Sequence, residues 1–394
     1  MFRALTHSCL HQSHRTLVCN LTTSTSPVSD KKAATESNAT DDDVKFFHVN
    51  RTGIIQLNRP KQLNCMTITM GRLMSSKLQE WNSDGYTQLI IIKGAGSKAF
   101  SAGGDMKGLL AKTIDGERLR RDFFYDGYQT YYLTSVCKVP YVALINGITM
   151  GGGCGMSLHG SFQVATEMTT LAMPETSIGF FPDAGGSHFL PRLSNNVGVF
   201  LALTGHRLRG LDVVHVGLAT HFVQSSRLAH VEQKLSTISN ADHESVERVL
   251  DENNEAAQLH TPFTLEPHLS LINRIFSLDA KNVESIMQEL KSNGSEFALK
   301  QHAILQTKSP TSLKLTFEQL KRGKHLDLKD CLKMEYNIAQ HLMKRNDFFE
   351  GSRAVLVDKD NKPRWQPTAL SDISDDDIAR FFEKLPADEE LKLP

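Results

Sequence analysis

The chain has 394 residues, a length that allows two or three folding units. Its 44 Lys and Arg balance 44 Asp and Glu, and this zero net charge excludes a protein built to track nucleic-acid phosphates. A composition 40% hydrophobic and 22% charged is that of a globular protein with a sizeable core, and six scattered cysteines without a C-x-x-C pair give neither a disulfide framework nor a cysteine metal site.

In chain order, residues Met1 to Ser29 carry Arg3 and Arg15, many Ser, Thr and His, and no acid, while Phe2, Leu5, Cys9 and Leu10 fall on one helical face. This pattern is expected of a mitochondrial transit peptide. A polar linker runs to Asp43, so residues 1–43 are expected to stand outside the fold. From Val44 to about residue 226 short β-branched runs alternate with helical patterns. Ile54–Leu57 and Leu89–Ile92 read as strands, the second apolar on both faces as in a buried parallel sheet. Between them Ile68, Met70, Leu73, Met74, Leu78 and Trp81 recur at helical spacing over Thr67–Trp81. Such alternation predicts an α/β core over 44–226. Val139–Thr166 has no charged residue, but it holds Pro140, Asn146, His159 and glycines 147, 151, 152, 153, 155 and 160. A strand, Tyr141–Ile145, entering a glycine-rich turn and a buried helix fits this content, and a membrane span does not. Beyond residue 227 the helical period takes over, in Val231–Ile238, Val246–Leu250, Leu269–Phe276, Val283–Leu290, Phe297–Leu305, Leu313–Leu320 and Leu332–Leu342, so 227–394 is expected to be mostly helical.

Three motifs compete to carry chemistry. Gly94-Ala-Gly96-Ser-Lys-Ala99 matches a dinucleotide fingerprint, but Phe100–Gly104 prolongs the loop where a helix should open. Ala99-Phe-Ser101-Ala-Gly103 lacks the first glycine of a serine-nucleophile elbow, which leaves Ser101 as a loop hydroxyl. The third constellation joins several segments. Ala102-Gly103-Gly104-Asp105, with Asp105 suited to cap a following helix, and Met150-Gly151-Gly152-Gly153 can each present unencumbered backbone N–H groups. If they meet, they make an oxyanion hole. Nearby stand Glu175 and Asp183, flanking the apolar Ile178-Gly-Phe-Phe-Pro182, where loss of water raises carboxylate basicity. Taken singly, the glycines need do no more than permit close packing, and the acids no more than cap turns. Histidine offers no rival: His188, His206, His215 and His221 show no metal spacing.

These segments together, with Asn58-Arg-Pro-Lys-Gln-Leu-Asn64, Ala172-Met-Pro-Glu-Thr-Ser-Ile-Gly179, Leu201–Gly205, Ser309–Lys314, Met334-Glu-Tyr336 and Phe349–Val355, resemble the crotonase (enoyl-CoA hydratase/isomerase) superfamily, and the C-terminal motifs resemble its acyl-CoA hydrolase branch. The resemblance implies a spiral of β-β-α units with a helical C-terminal region, acting on an acyl-CoA thioester with no metal or other cofactor, in the mitochondrial matrix. A homo-oligomer is compatible with it. The family's oxyanion-hole amides match Gly104 and Gly152. Hydratases use two glutamates, matching Gly155 and Glu175 here, so one carboxylate is missing. Asp183 replaces a hydratase glycine, as in the hydrolase branch, which implies hydrolysis of a 3-hydroxyacyl-CoA of valine catabolism. A hydratase or isomerase, and a non-catalytic ribosome-associated relative, are the alternatives. One departure stands out: the branch carries two consecutive acids before the tyrosine matching Tyr128, and here they are Asp126 and Gly127, with Asp126 expected to substitute in the substrate pocket.

Overall fold

A computed structural model of the chain describes residues 41–110, 114–257, 259 and 261–394. The expected transit segment lies outside the described residues. Among them run ten strands: β1 (Val44–Val49), β2 (Thr52–Leu57), β3 (Leu89–Gly94), β4 (Ala99–Ser101), β5 (Tyr141–Ile145), β6 (Ile148–Met150), β7 (Phe162–Ala165), β8 (Thr170–Ala172), β9 (Leu208–Arg209) and β10 (His221–Phe222). One sheet is ordered β1-β2-β3-β5-β7-β10, the other β4-β6-β8-β9. Apart from the antiparallel β1/β2 and β8/β9 pairs, neighbours run parallel.

The β3→β4, β5→β6 and β7→β8 steps each carry the chain from the large sheet to the small one, and helical segments then bring it back. That is the expected spiral of β-β-α turns. It also explains why Leu89–Ile92 is apolar throughout. Ile90 and Ile92 pack into the main core with α1 (Ile68–Trp81). Leu89 and Ile91 face a second cluster with Val231, Leu235, Val246 and Leu250. Thr67 caps α1, its hydroxyl accepting from the Met70 N–H at 3.2 Å. The stripe Met70, Met74, Leu78, Trp81 is buried as the period requires.

The charge-free stretch Val139–Thr166 is spread over β5, β6, α3 (Gly152–Ser157) and β7, and no described helix is long and apolar enough to cross a membrane. Each helical period after residue 227 meets an observed helix: Leu228–Ser236, His243–Asp251, Leu269–Ile275, Val283–Asn293, Glu296–Gln306, Pro310–Gly323 and Leu328–Leu342. Sequence periodicity had not marked α2 (Ile114–Ser135), whose aromatic face lines the site described next. The cysteines among the described residues, 65, 137, 154 and 331, are free.

Candidate active site

The site begins with the Asn58–Asn64 loop. Asn64 sits buried with φ +55, accepts from the Arg59 N–H at 2.9 Å, and donates to the Ala95 and Ala99 carbonyls. Arg59 bridges Asp43 (3.3 Å) and Asp105 (3.1 Å) and donates to the Cys65 carbonyl. Asp105 therefore makes no side-chain cap to the short helical turn Met106–Leu109 that follows it, a correction to the sequence expectation. Its nearest strong partner, Arg59, lies 46 residues away in sequence. Gly94–Ala99 leads into β4 and not into a helix, and Ser101 is buried with its hydroxyl on the Asn64 carbonyl at 2.9 Å. Both are structural.

Pinned this way, residues 103–105 bridge to Met66: its N–H donates to the Gly103 carbonyl (2.8 Å) and its carbonyl accepts from the Asp105 N–H (2.9 Å). The intervening Gly104 N–H then points to the opposite side and finds no acceptor among the described residues. Gly152, as first residue of α3, likewise has an N–H without an intrahelical partner. The two loops abut: a methyl carbon placed on Gly152 would lie 3.7 Å from the Gly104 nitrogen, and one on Gly103 3.5 Å from the Gly152 nitrogen. Gly151 has φ +49, which admits glycine most readily, and a methyl carbon there would lie 2.9 Å from Glu175 Oε1.

Glu175 opens a helical turn, Glu175–Ile178, just past β8. It is 6% exposed, and its Oε2 is buried without any hydrogen-bond partner. Burial, together with the nearby Asp183 carboxylate, pushes its carboxyl well above the ordinary range. Asp183, 8% exposed, accepts from the Tyr128 hydroxyl at 3.0 Å, and burial lifts it to about 7. No cation lies within ion-pair distance of either acid among the described residues. Asp183 does not cap the helix Gly186–Phe189; only its backbone carbonyl accepts, from the Gly186 N–H.

The Asp183 loop is held from three sides. Ala184 (φ +56) and Gly185 (φ +84) are consecutive left-handed residues, a turn that surrounding contacts must enforce. The N–H groups of Gly185 and Ser187 both donate to the Glu335 carboxylate at 2.8 Å. Gln319 Nε2 donates to the Pro182 carbonyl, and His159 Nε2 to the Ala184 carbonyl at 2.8 Å. Burial keeps His159 neutral, pushed down to about 4, so it serves as this donor and not as a base. The Glu175 turn is held in parallel: the Ser309 N–H donates to the Thr176 carbonyl, Ser309 is tied to Asp347 at 2.7 Å, and Lys308 reaches Ser177 at 2.7 Å.

Of the residues singled out from sequence, the structure brings Gly104, Gly152, Glu175 and Asp183 into one neighbourhood, Gly104 half-buried and the other three buried. It leaves Asp126 out of that cluster. On α2 the Phe124, Tyr128 and Tyr131 rings pack inward, while Asp126 turns to α1 and is bridged by Arg72 at 2.6 Å. Gly127 is buried, and a methyl carbon there would meet the Met66 terminal methyl at 3.2 Å and the Tyr131 hydroxyl at 3.7 Å. Gly155 has no room for a side chain: a methyl carbon would stand 2.8 Å from the Ala184 Cβ and 2.9 Å from the Tyr131 ring.

Sequence reasoning gave no role to Glu335 or Tyr131. A signal for Glu335 existed: it is the one acid in the stripe Cys331, Leu332, Glu335, Tyr336, Ile338, Ala339, Leu342 that Leu328–Leu342 buries. Tyr131 carried no comparable mark. The described residues hold no group of His, Cys, Asp or Glu able to bind a metal ion.

Comparison with known proteins identifies the family. The family model for enoyl-CoA hydratase/isomerase matches residues 52–382. The chain is 48% identical over 343 residues to a mitochondrial 3-hydroxyisobutyryl-CoA hydrolase of Xenopus laevis, covering 86% of this chain and 88% of that protein. To the protein of that name from Homo sapiens it is 46% identical over 336 residues, covering 85% and 86%. Among solved structures, a carnitinyl-CoA dehydratase from Mycobacterium thermoresistibile superposes with TM-score 0.81 at 31% identity, over 89% of this chain and 99% of that one. An enoyl-CoA hydratase from Rhodobacter sphaeroides 2.4.1 gives 0.79 at 29%, over 89% and 100%. With a family match over residues 52–382 and relatives 46–48% identical over most of its length, the chain belongs to the enoyl-CoA hydratase/isomerase family, whose crotonase fold it shares.

Proposed function

We propose that this chain is an acyl-CoA thioester hydrolase that converts 3-hydroxyisobutyryl-CoA, and with it 3-hydroxypropionyl-CoA, to the hydroxy acid and free CoA, serving valine catabolism in the mitochondrial matrix. The names of its relatives support 3-hydroxyisobutyryl-CoA as substrate and the mitochondrion as compartment. The observation that carries the reaction type is Glu175: a buried carboxylate with an unpartnered oxygen, set against Gly151 where two unpaired glycine amides converge.

The Gly104 and Gly152 N–H groups polarise the thioester carbonyl, and each such donor is worth about 2.7–4 kcal/mol once the oxygen carries charge. Glu175 acts at the carbonyl carbon by one of two routes. As nucleophile it forms a C–O bond, expels CoA as thiolate and leaves a mixed anhydride that water cleaves. As general base it takes a proton from the attacking water. Asp183, oriented by Tyr128, binds the acyl hydroxyl or the water. Addition of water across a double bond with two glutamates is disfavoured, because position 155 has no space for the second one.

The test is release of free thiol from a panel of acyl-CoAs. Turnover of 3-hydroxyisobutyryl-CoA well above isobutyryl-CoA, with methacrylyl-CoA left unhydrated, is expected. Hydration of methacrylyl-CoA without thiol release would overturn the reading. Single turnover in H2(18)O tests the anhydride route: label in Glu175 requires water to attack the glutamyl carbon of an anhydride and expel the hydroxy acid as carboxylate, which the general-base route cannot do, whereas trapping of an acylated Glu175 by hydroxylamine reports an anhydride cleaved at its acyl carbon.

A further inference from the structure

The Tyr131 hydroxyl is a polar group for which the fold itself has no use. Tyr131 is 3% exposed on the inner face of α2, and its ring packs over Gly155 and 5.9 Å from the Tyr128 ring. Tyr128 spends its hydroxyl on Asp183, whereas no described residue accepts from or donates to the hydroxyl of Tyr131. Buried tyrosines ordinarily spend their hydroxyl on the protein, so one whose oxygen is left unbonded beside a site is free for a ligand atom.

Its position is specific. A methyl carbon on Gly152 would be 2.5 Å from this oxygen, and one on Gly127 3.7 Å, so both glycines leave the hydroxyl room. The same point on Gly152 is 3.7 Å from the Gly104 nitrogen. The hydroxyl therefore shares the space beside Gly152 with the two free amides. Its titration is opposed by Asp183 and Glu175 as well as by burial, which keeps it a protonated donor at every working pH.

We infer that the Tyr131 hydroxyl is a third hydrogen-bond donor to the thioester oxygen, acting with the Gly104 and Gly152 amides, a role that rests on the thioesterase reading above. When oxygen attacks the carbonyl carbon, the C=O electron pair moves onto the thioester oxygen, and the Tyr131 proton is shared with that oxyanion. When the pair returns and the C–S bond breaks, tyrosine keeps its proton and CoA leaves as thiolate.

The test is Tyr131→Phe, which removes one oxygen and leaves the ring over Gly155. Thiol release should fall on the order of 100-fold in kcat with KM within about threefold, and equally for hydroxylated and plain acyl-CoAs. Unchanged kcat would overturn the inference, and so would a loss confined to hydroxylated substrates, because the hydroxyl would then read the acyl group. Difluorotyrosine at 131 keeps the shape but strengthens the donor, and its kcat should change; no change at a pH where the phenol stays protonated would also count against the role. Glu175→Gln run in parallel separates the levels: its loss with Tyr131→Phe retained sinks this inference alone, whereas wild-type protein without thiol release sinks the thioesterase reading.

Discussion

Two buried carboxylates with no cation beside them are hard to keep charged, and Asp183 shows the consequence for stability. Its ordinary value of 3.8 rises to about 7 in the fold. Between those values the folded protein holds a proton that the unfolded chain has lost, so the contribution of Asp183 to stability falls as pH rises from about 4 to about 7 and is level above that. Asp183→Asn keeps an acceptor for Tyr128 without the charge. It should be more stable than wild type by roughly 2–4 kcal/mol at pH 8 and little different at pH 4, measured by urea unfolding at both. Catalysis carries the opposite sign. Glu175 must lose its proton to attack or to act as base, and burial with the Asp183 charge raises it, so CoA release should climb with pH along an acid limb lying above the ordinary carboxylate range. The Asp183 charge is part of what raises Glu175. In Asp183→Asn the acid limb of whatever activity remains should therefore move to lower pH; a limb that stays in place would separate the two groups.

At the scale of elements, the loops that hold these acids are fastened by the C-terminal helices. Glu335 comes from Leu328–Leu342, is fully buried, and spends both oxygens on the amides of Gly185 and Ser187. A glutamine there would set its amide group against a backbone N–H. Glu335→Gln should lose about 2–4 kcal/mol in thermal or chemical unfolding and cut kcat more than KM. The contacts that matter here are the ones sequence conceals. Glu175 and Asp183 stood out because acids flank an apolar run, and helices past residue 227 were legible from their period. By contrast β4, β6 and β8 are three residues each, too short for alternation to register. The expected cap by Asp105 failed because a distant arginine claimed the carboxylate. Asp126 is adjacent in sequence to the glycine at 127, but helix geometry turns neighbouring residues to different faces, and Arg72 on α1 takes it. Tyr131 gains its meaning only when α2 lies over Gly152.

For the whole molecule, the helical C-terminal region is no detachable appendage. Asp347 accepts from Ser309 at 2.7 Å and from the Gln366 N–H at 2.8 Å, and Phe348 and Phe381 are buried in the main core. Ending the chain after Arg345 should abolish cooperative thermal unfolding followed by circular dichroism, and CoA release with it. The fold class, the parallel sheet and the helical end were readable because they depend on composition and period. The site needed the fold, because its glycine amides, acids and clamps come from segments far apart in the chain.

The central claim is that Glu175 performs the chemistry opposite two glycine amides. Steady-state CoA release from 3-hydroxyisobutyryl-CoA by Glu175→Gln, checked for wild-type melting, tests it most directly. A fall on the order of 1,000-fold or more in kcat is predicted; turnover within tenfold of wild type by a folded variant would contradict it.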